Sequence, residues 1–470
     1  MRFLSTFIFI SALSYSALSE AASLSEWSSC FRDGYSKQLS CAELSLDDGA
    51  VLAVTRKAAV KLGDTKPPIF VLAGGPGQAS SELVSLIDAA FGPSNQYHDL
   101  YFVDRRATGR SNPWQCELDE TVVTEAQIAN EVQRCFERSV WPLDQLNSQT
   151  SIDDLEALRT LIGADTVNLW GGSWGTRFAL LYAQRYPNSV NRMVLDGVAP
   201  VSQPVLITAE AAQGAWDELV LLCHANDECL RRFPNPTTQL NQLLASVGDG
   251  ITISVFDAAR GEQVQQTLSR SQVAQVIRGL LYMPEISGQL FYVVDQAQRG
   301  NWQPLVSLGT SQNSAAESMY IGLTLSVLCS EELPRVSRTA FDEEFNKGFV
   351  GQSWLEFWQL ACAHWPTATY GYDEPTLLDH PTLLISGALD PVTPPNYAGL
   401  SAQRLANALE IVLPYGGHMN SMRGCMPTQI GRFFEAKDEE INTDCLKGLP
   451  PPLFMTNAFG SQLGGGLDND

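Results

Sequence analysis

Basic residues are in short supply: 30 lysines and arginines stand against 52 aspartates and glutamates in 470 residues, a formal net charge of −22. Such a surface repels phosphate backbones and anionic headgroups, which excludes nucleic acid and acidic bilayers as partners. Past the N-terminal segment no uninterrupted apolar run reaches the ~18 residues of a spanning helix, so no stable membrane insertion is expected. No Cys-x-x-Cys pair is matched by a second one, so no zinc site is expected, and nothing in the chain calls for a cofactor. Internal repeats are absent as well. Histidine is scarcest of all the versatile side chains, with only His98, His224, His364, His380 and His418. Any chemistry that needs an imidazole must choose among those five.

What is present begins with a leader. Met1-Arg2, an apolar stretch from Phe3 to Leu13, and small residues around Ala17 to Ala22 read as a secretory signal over residues 1–22, which implies export to the periplasm or the medium. Ten cysteines, all beyond it, suit an oxidising compartment. Neighbours in sequence fall into near pairs, which suggests Cys30 with Cys41, Cys116 with Cys135, Cys223 with Cys229, Cys329 with Cys362, and Cys425 with Cys445.

With 44% hydrophobic side chains the chain can bury a large core and a second domain. Strand-like runs at 51–54, 69–73, 100–103, 167–170, 190–195, 382–385 and 410–413 alternate with helical or loop stretches. That alternation predicts an α/β fold, a mostly parallel sheet with helices on both faces. One interval is far too long for a connection, so residues 201–375 are read as an inserted, mainly helical cap, with helices over 209–225, 269–281 and 314–328 and a hairpin over 251–268. The core then comprises 23–200 and 376–455. The tail over 456–470, Gly-rich and acidic from Gly460 on, reads as disordered.

The chemistry concentrates at three strand ends. Val167-Asn168-Leu169-Trp170 runs into Gly171-Gly172-Ser173-Trp174-Gly175, and a helix-compatible stretch follows up to Pro187. Strand, tight glycine turn and helix form a nucleophile elbow, in which the apical serine is lifted out of the backbone. A serine needs a base, and the base needs an orienting acid. In this architecture both follow the serine in chain order, on loops after later strands. Asp390 lies in the Gly/Pro-dense loop after 382–385, and His418 ends Pro414-Tyr415-Gly416-Gly417-His418 after 410–413, the only histidine beyond Asp390. A developing oxyanion needs preorganised amides. Gly74-Gly75-Pro76-Gly77 after 69–73 supplies Gly75, and Trp174 supplies the second.

In order along the chain, Gly-Gly-Pro-Gly, Asp104-Arg105-Arg106-Ala107-Thr108-Gly109-Arg110-Ser111, the Gly-Gly-Ser-Trp-Gly elbow, Asp196-Gly197-Val198, the Asp390 loop and Gly-Gly-His resemble the α/β-hydrolases of the prolyl iminopeptidase and tripeptidyl aminopeptidase group, over residues 68–418. Iminopeptidases carry His where Ala73 stands and Gln-Arg-Gly where Arg105-Arg106-Ala107 stand. The resemblance therefore leans to the secreted tripeptidyl aminopeptidase branch with its TAP-like C-terminal region. It implies an α/β-hydrolase fold and an exported serine exopeptidase acting on peptides through an acyl-enzyme, with Ser173, Asp390 and His418 catalytic. In similar aminopeptidases a Cys-x-acid segment of the cap lies near the site, which points to Glu331, after Cys329-Ser330, as the partner of the substrate's N-terminal ammonium. A carboxylesterase or lipase built on the same triad, and a non-catalytic binding module, are the alternatives. Trp354, Phe357, Trp358 and Trp365 read as helix-face core or as pocket lining.

Overall fold

In the computed structural model, residues 21–460 are described except 62, 64–65, 117–124, 258–259, 318, 345–346, 352 and 373–375. The leader and the last ten residues lie outside the described residues, but for the leader's final two.

Ten strands form one sheet. Its N-terminal half is antiparallel: β1 (Ser23–Leu24) and β2 (Ser28–Arg32) both pair with β3 (Tyr35–Ser45), and β3 with β4 (Val51–Lys57). From β4 the order runs through β6 (Leu100–Val103), β5 (Ile69–Leu72), β7 (Val167–Gly172), β8 (Val190–Asp196), β11 (Thr382–Gly387) and β12 (Ala408–Leu413), all parallel beyond the antiparallel β4–β6 pair. A separate hairpin, β9 (Ile251–Asp257) with β10 (Glu262–Leu268), occupies the expected segment of the cap.

The central strands are mostly apolar because both faces are covered. Ile69 and Val71 of β5 join a cluster with Phe102, Trp170, Ile385 and Phe433 on one face; Phe70 and Leu72 join Leu169, Phe178, Tyr182 and Leu195 on the other. The helix Trp174–Arg185 is buried on nearly every side for the same reason, and ends at Tyr186 before Pro187. Register sets the strand ends level: Leu72 lies opposite Gly171, Gly172 opposite Asp196, and Gly387 opposite Leu413. Loops leaving these carboxyl ends share one rim, where ligands bind in open α/β sheets.

Between β8 and β11 the chain packs in two ways. Residues from Ala209 to Leu305, with Phe349 and Val350, bury their own cluster around Trp216, Leu243 and Phe291, whereas Leu323 to Cys329, Leu355, Trp358 and Trp365 belong to the cluster on the sheet. A helix expected over 314–328 is two, Gln303–Glu317 and Ile321–Val327, because the chain between them leaves the helix to pair Met319 with Gln78. At the start of the expected tail Thr456 is buried and its hydroxyl donates to Glu228 of the helix Asp227–Arg232, which anchors that residue; residues 461–470 lie outside the described residues. The ten cysteines join as Cys30–Cys41, Cys116–Cys135, Cys223–Cys229, Cys329–Cys362 and Cys425–Cys445.

Candidate active site

Ser173 stands between β7 and the helix Trp174–Arg185 with φ 56° and ψ −127°, a left-handed conformation that costs a non-glycine residue ~1–3 kcal/mol. The turn is held by its neighbours. The Ser173 amide donates to Asp196 O at 2.8 Å, and the Thr176 hydroxyl donates to Ser173 O at 2.6 Å while accepting from the Ala199 amide at 2.8 Å. Gly175 is obligatory, since a Cβ there would lie 2.2 Å from Leu72 O.

Asp390 follows β11 and is fully buried. Its Oδ1 accepts the amides of Val392 (2.8 Å) and Thr393 (2.9 Å); its Oδ2 accepts the Thr393 hydroxyl (2.7 Å) and His418 Nδ1–H (2.8 Å). Burial opposes ionisation, but the charge and hydrogen bond of His418 and the Thr393 donors outweigh it and hold the carboxyl below its usual range. The same contact leaves Nε2 of His418 unprotonated in the neutral ring. Burial disfavours the imidazolium too, yet Asp390, reinforced by Asp196, lifts the His418 pKa above its ordinary value, against a smaller opposing effect of Arg278.

Asp196 ends β8 and explains how the imidazole is aimed. Its carboxylate accepts the amides of Asn420 (2.7 Å) and Ser421 (2.6 Å) and the Ser421 hydroxyl (2.7 Å), which pins the loop just past His418. The His418 amide is fixed from the cap side, donating to Tyr282 O at 2.9 Å, and the ring passes so close to Gly197 that a Cβ there would be 3.2 Å from its Cε1. Ser173 stands at the end of β7 and the His418 ring lies beside Gly197 at the end of the neighbouring β8. Among the described residues no hydrogen bond within 3.5 Å joins their side chains.

Gly74 lies beside the serine, where a Cβ would come 3.5 Å from Ser173 Oγ. Among the described residues the amides of Gly75 and Trp174 donate to no backbone carbonyl, and Trp174 opens its helix, where N–H groups lack intrahelical acceptors. Cap residues clamp this loop: Tyr320 N donates to Gly77 O at 3.0 Å and Thr324 Oγ1 to Pro76 O at 2.7 Å. Asp196 and Thr393 lie within motifs that the sequence shows, Asp196-Gly197-Val198 and the Asp390 loop, whereas Tyr320 and Thr324 carry no local motif.

Glu331 is brought elsewhere than expected. It is 1% exposed, and its oxygens accept Ser148 N at 2.6 Å and Ser148 Oγ at 2.5 Å, at the positive start of the helix Ser148–Leu161. Tyr372 bonds it as well, and burial, opposed by the Ser148 bonds, raises its pKa. Both oxygens accept internal donors and the residue is buried, so Glu331 anchors this segment to the core and its carboxylate is not presented to an incoming ammonium. Glu332 does likewise with Arg177, Val205 N and Tyr372. Trp358 and Trp365 are buried core, while Trp354 bridges the two clusters. His98 and His380 bind the carbonyls of Pro67 and Pro187. Among the described residues no group of three or more His, Cys, Asp or Glu side chains can hold a metal ion, and no helix is long and apolar enough to cross a membrane.

A sheet of this order, a serine at a strained strand-to-helix turn and a carboxylate-bound imidazole on neighbouring strand ends define a hydrolase of the α/β class. Residues 67–231 match the family model described as alpha/beta hydrolase fold, and residues 347–445 the one described as TAP-like protein. The serine protease Hip1 of Mycobacterium tuberculosis is 24% identical over 458 residues, 86% of this chain and 83% of its own. Tripeptidyl aminopeptidase of Streptomyces lividans is 23% identical over 329 residues, 62% of this chain and 59% of its own, and proline iminopeptidase of Neisseria gonorrhoeae 29% over 131 residues, 28% and 32%. The chain has the α/β-hydrolase fold and is similar to proline iminopeptidases and tripeptidyl aminopeptidases.

Proposed function

We propose that this hydrolase is an exported serine exopeptidase that removes an N-terminal unit from peptides. Ser173 Oγ attacks the scissile carbonyl and passes its proton to His418 Nε2, while Asp390 holds Nδ1–H and stabilises the imidazolium. The amides of Gly75 and Trp174 receive the oxyanion. His418 then protonates the departing amine, and water, deprotonated by the same nitrogen, releases the acyl group from Ser173. The observation that carries this reading is the 2.8 Å Asp390–His418 contact above the strained Ser173 turn. Peptide bonds as substrate are supported by the peptidase relatives, and export by the leader and five disulfides. Two measurements test it. A fluorophosphonate probe should label the protein, and Ser173→Ala should abolish labelling. Chromogenic peptide amides with a free N-terminus should turn over faster than blocked ones; turnover of short esters alone would overturn the peptidase assignment.

A further inference from the structure

Beside the catalytic imidazole lies a cation with nothing to balance it. Arg278, in the last turn of the cap helix Arg270–Leu280, is only 7% exposed. Its guanidinium carbon sits 5.7 Å from the centroid of Tyr282, whose ring meets His418 edge-on at 5.1 Å, and 5.1 Å from the centroid of Trp354. Among the described residues no carboxylate lies within 4.0 Å of it, and its one hydrogen bond is a long 3.5 Å contact to Gln275 Oε1. Of the other buried arginines, Arg177 pairs with Glu332 and Arg106 with Asp154 and Asp48; Arg105 also lacks an acceptor for both Nη atoms, but it is stacked between Trp174 and Phe178 and feels the charge of Glu331.

The orphaned atoms around Arg278 share one polarity. Arg278 Nε, Gln275 Nε2 and Trp354 Nε1 are buried without an acceptor, and Trp358 Nε1 adds a fourth donor one ring away, the two indoles being 5.6 Å apart. Among the described residues the same cluster presents no orphaned oxygen. A buried guanidinium and several unsatisfied N–H groups are costly to maintain in a free protein. An acceptor-rich anion arriving with the substrate would satisfy them together, and a carboxylate has the planar, two-oxygen shape that guanidinium binds best. With Glu331 buried against Ser148, the polarity of the cluster around Arg278 is the reverse of an ammonium site.

Resting on the peptidase reading above, we infer that Arg278, with Gln275 and Trp354, is the specificity anchor of the substrate pocket and selects peptides bearing a carboxylate near the scissile bond. An acidic side chain and the C-terminus of a short peptide offer the same chemistry. The test uses the full chain and matched peptides that differ only in Glu against Gln beside the cleaved bond, each with a free or an amidated C-terminus. Wild type should favour the carboxylate by roughly 10- to 100-fold in kcat/KM, mostly through KM. The arm that carries the preference identifies its source. Arg278→Gln should bring that ratio close to one, Arg278→Lys should keep part of it, and Arg278→Glu should turn it towards Lys over Gln. Fluorophosphonate labelling of Ser173 confirms that each variant is folded. A wild-type ratio near one in both arms, or a ratio unchanged in Arg278→Gln, overturns the inference. Failure of the peptidase reading looks different, with labelling and ester turnover but no peptide cleavage; a succinate half-ester against its methyl ester then puts the same question to Arg278.

Discussion

Asp196→Asn separates the two tasks that the structure loads on one buried carboxylate. Asp196 receives three donors from the loop after His418, through four contacts of 2.6 to 2.8 Å. An asparagine keeps one acceptor oxygen and turns an NH₂ towards N–H groups that have no lone pair to offer. One or two charge-assisted hydrogen bonds are lost, at ~1.5–3 kcal/mol each, against which stands the relief of no longer burying a charge. The net loss of stability should be about 2–4 kcal/mol, read as a lower urea midpoint at unchanged m-value. The second task is electrostatic. Asp196 helps raise the His418 pKa, and only the neutral imidazole can accept the serine proton. Activity therefore rises as pH passes that pKa, and in the variant the acid limb of kcat/KM should move to lower pH. A merely structural role would lower stability and leave the limb in place. Unchanged stability together with an unchanged limb would refute the reasoning on both counts.

Asp390→Asn offers His418 Nδ1 an amide in place of a carboxylate, and kcat should fall about 10³- to 10⁴-fold with the fold intact, as measured by steady-state kinetics beside near-UV circular dichroism. Gly77 has φ 124°, and a Cβ would lie 2.1 Å from Thr324 Oγ1, so Gly77→Ala should displace the oxyanion loop and lower kcat at least ~100-fold while leaving the thermal midpoint within a few degrees. Burial lifts the Glu82 carboxyl from its ordinary 4.5 to about 7, the Tyr320 hydrogen bond opposing and Asp104 adding to it. The folded state then binds the proton more tightly than the unfolded one, so the stability linked to Glu82 is whole below pH 4.5 and is lost as pH climbs through 7. Glu82→Gln should accordingly stabilise the protein more at pH 8 than at pH 5; equal shifts in midpoint would contradict the assignment. Replacing Cys329 and Cys362 together by serine opens a link spanning 33 residues and should cost roughly 3 kcal/mol, seen as a lower urea midpoint, with loss of the Glu331 anchor as its local sign.

The parts legible in the sequence are those in which one residue's neighbours along the chain are also its neighbours in space. β5, β6 and β7 are buried on both faces, so β5 and β6 are unbroken apolar words and β7 is interrupted only by Asn168, and the elbow is a local turn whose glycines sit within two residues of the serine. Asp390 and His418, which the structure brings into contact, could be picked out by chain order after two such strands. β1 to β3 were missed because an antiparallel edge with one wet face tolerates Lys37, Gln38 and Glu43, and no apolar run marks it. The break at Met319 is likewise silent in sequence, since what pulls the chain out of its helix is a carbonyl of the oxyanion loop some 240 residues earlier. Glu331 shows the limit most plainly. Its residue type and its spacing from Cys329 fitted an ammonium partner, but whether the carboxylate is presented to an incoming ammonium depends on Ser148, and no spacing rule connects the two.

The segment between β8 and β11 divides its labour, and the division predicts where substitutions will act. Met319, Tyr320 and Thr324 hold the Gly75–Gly77 loop, and Glu331 and Glu332 tie the same stretch to Ser148 and Arg177 in the core, so this half cannot move without moving the Gly75 amide proposed to receive the oxyanion. The half built on Trp216, Leu243 and Phe291 has a hydrophobic cluster of its own and reaches the site through Tyr282 and Arg278. Packing within a separate cluster lets that half vary while the amides stay where they are. Changes around residues 319–332 should therefore appear in kcat for every substrate alike, whereas changes at Gln275, Arg278 and Trp354 should appear as altered ratios between substrates.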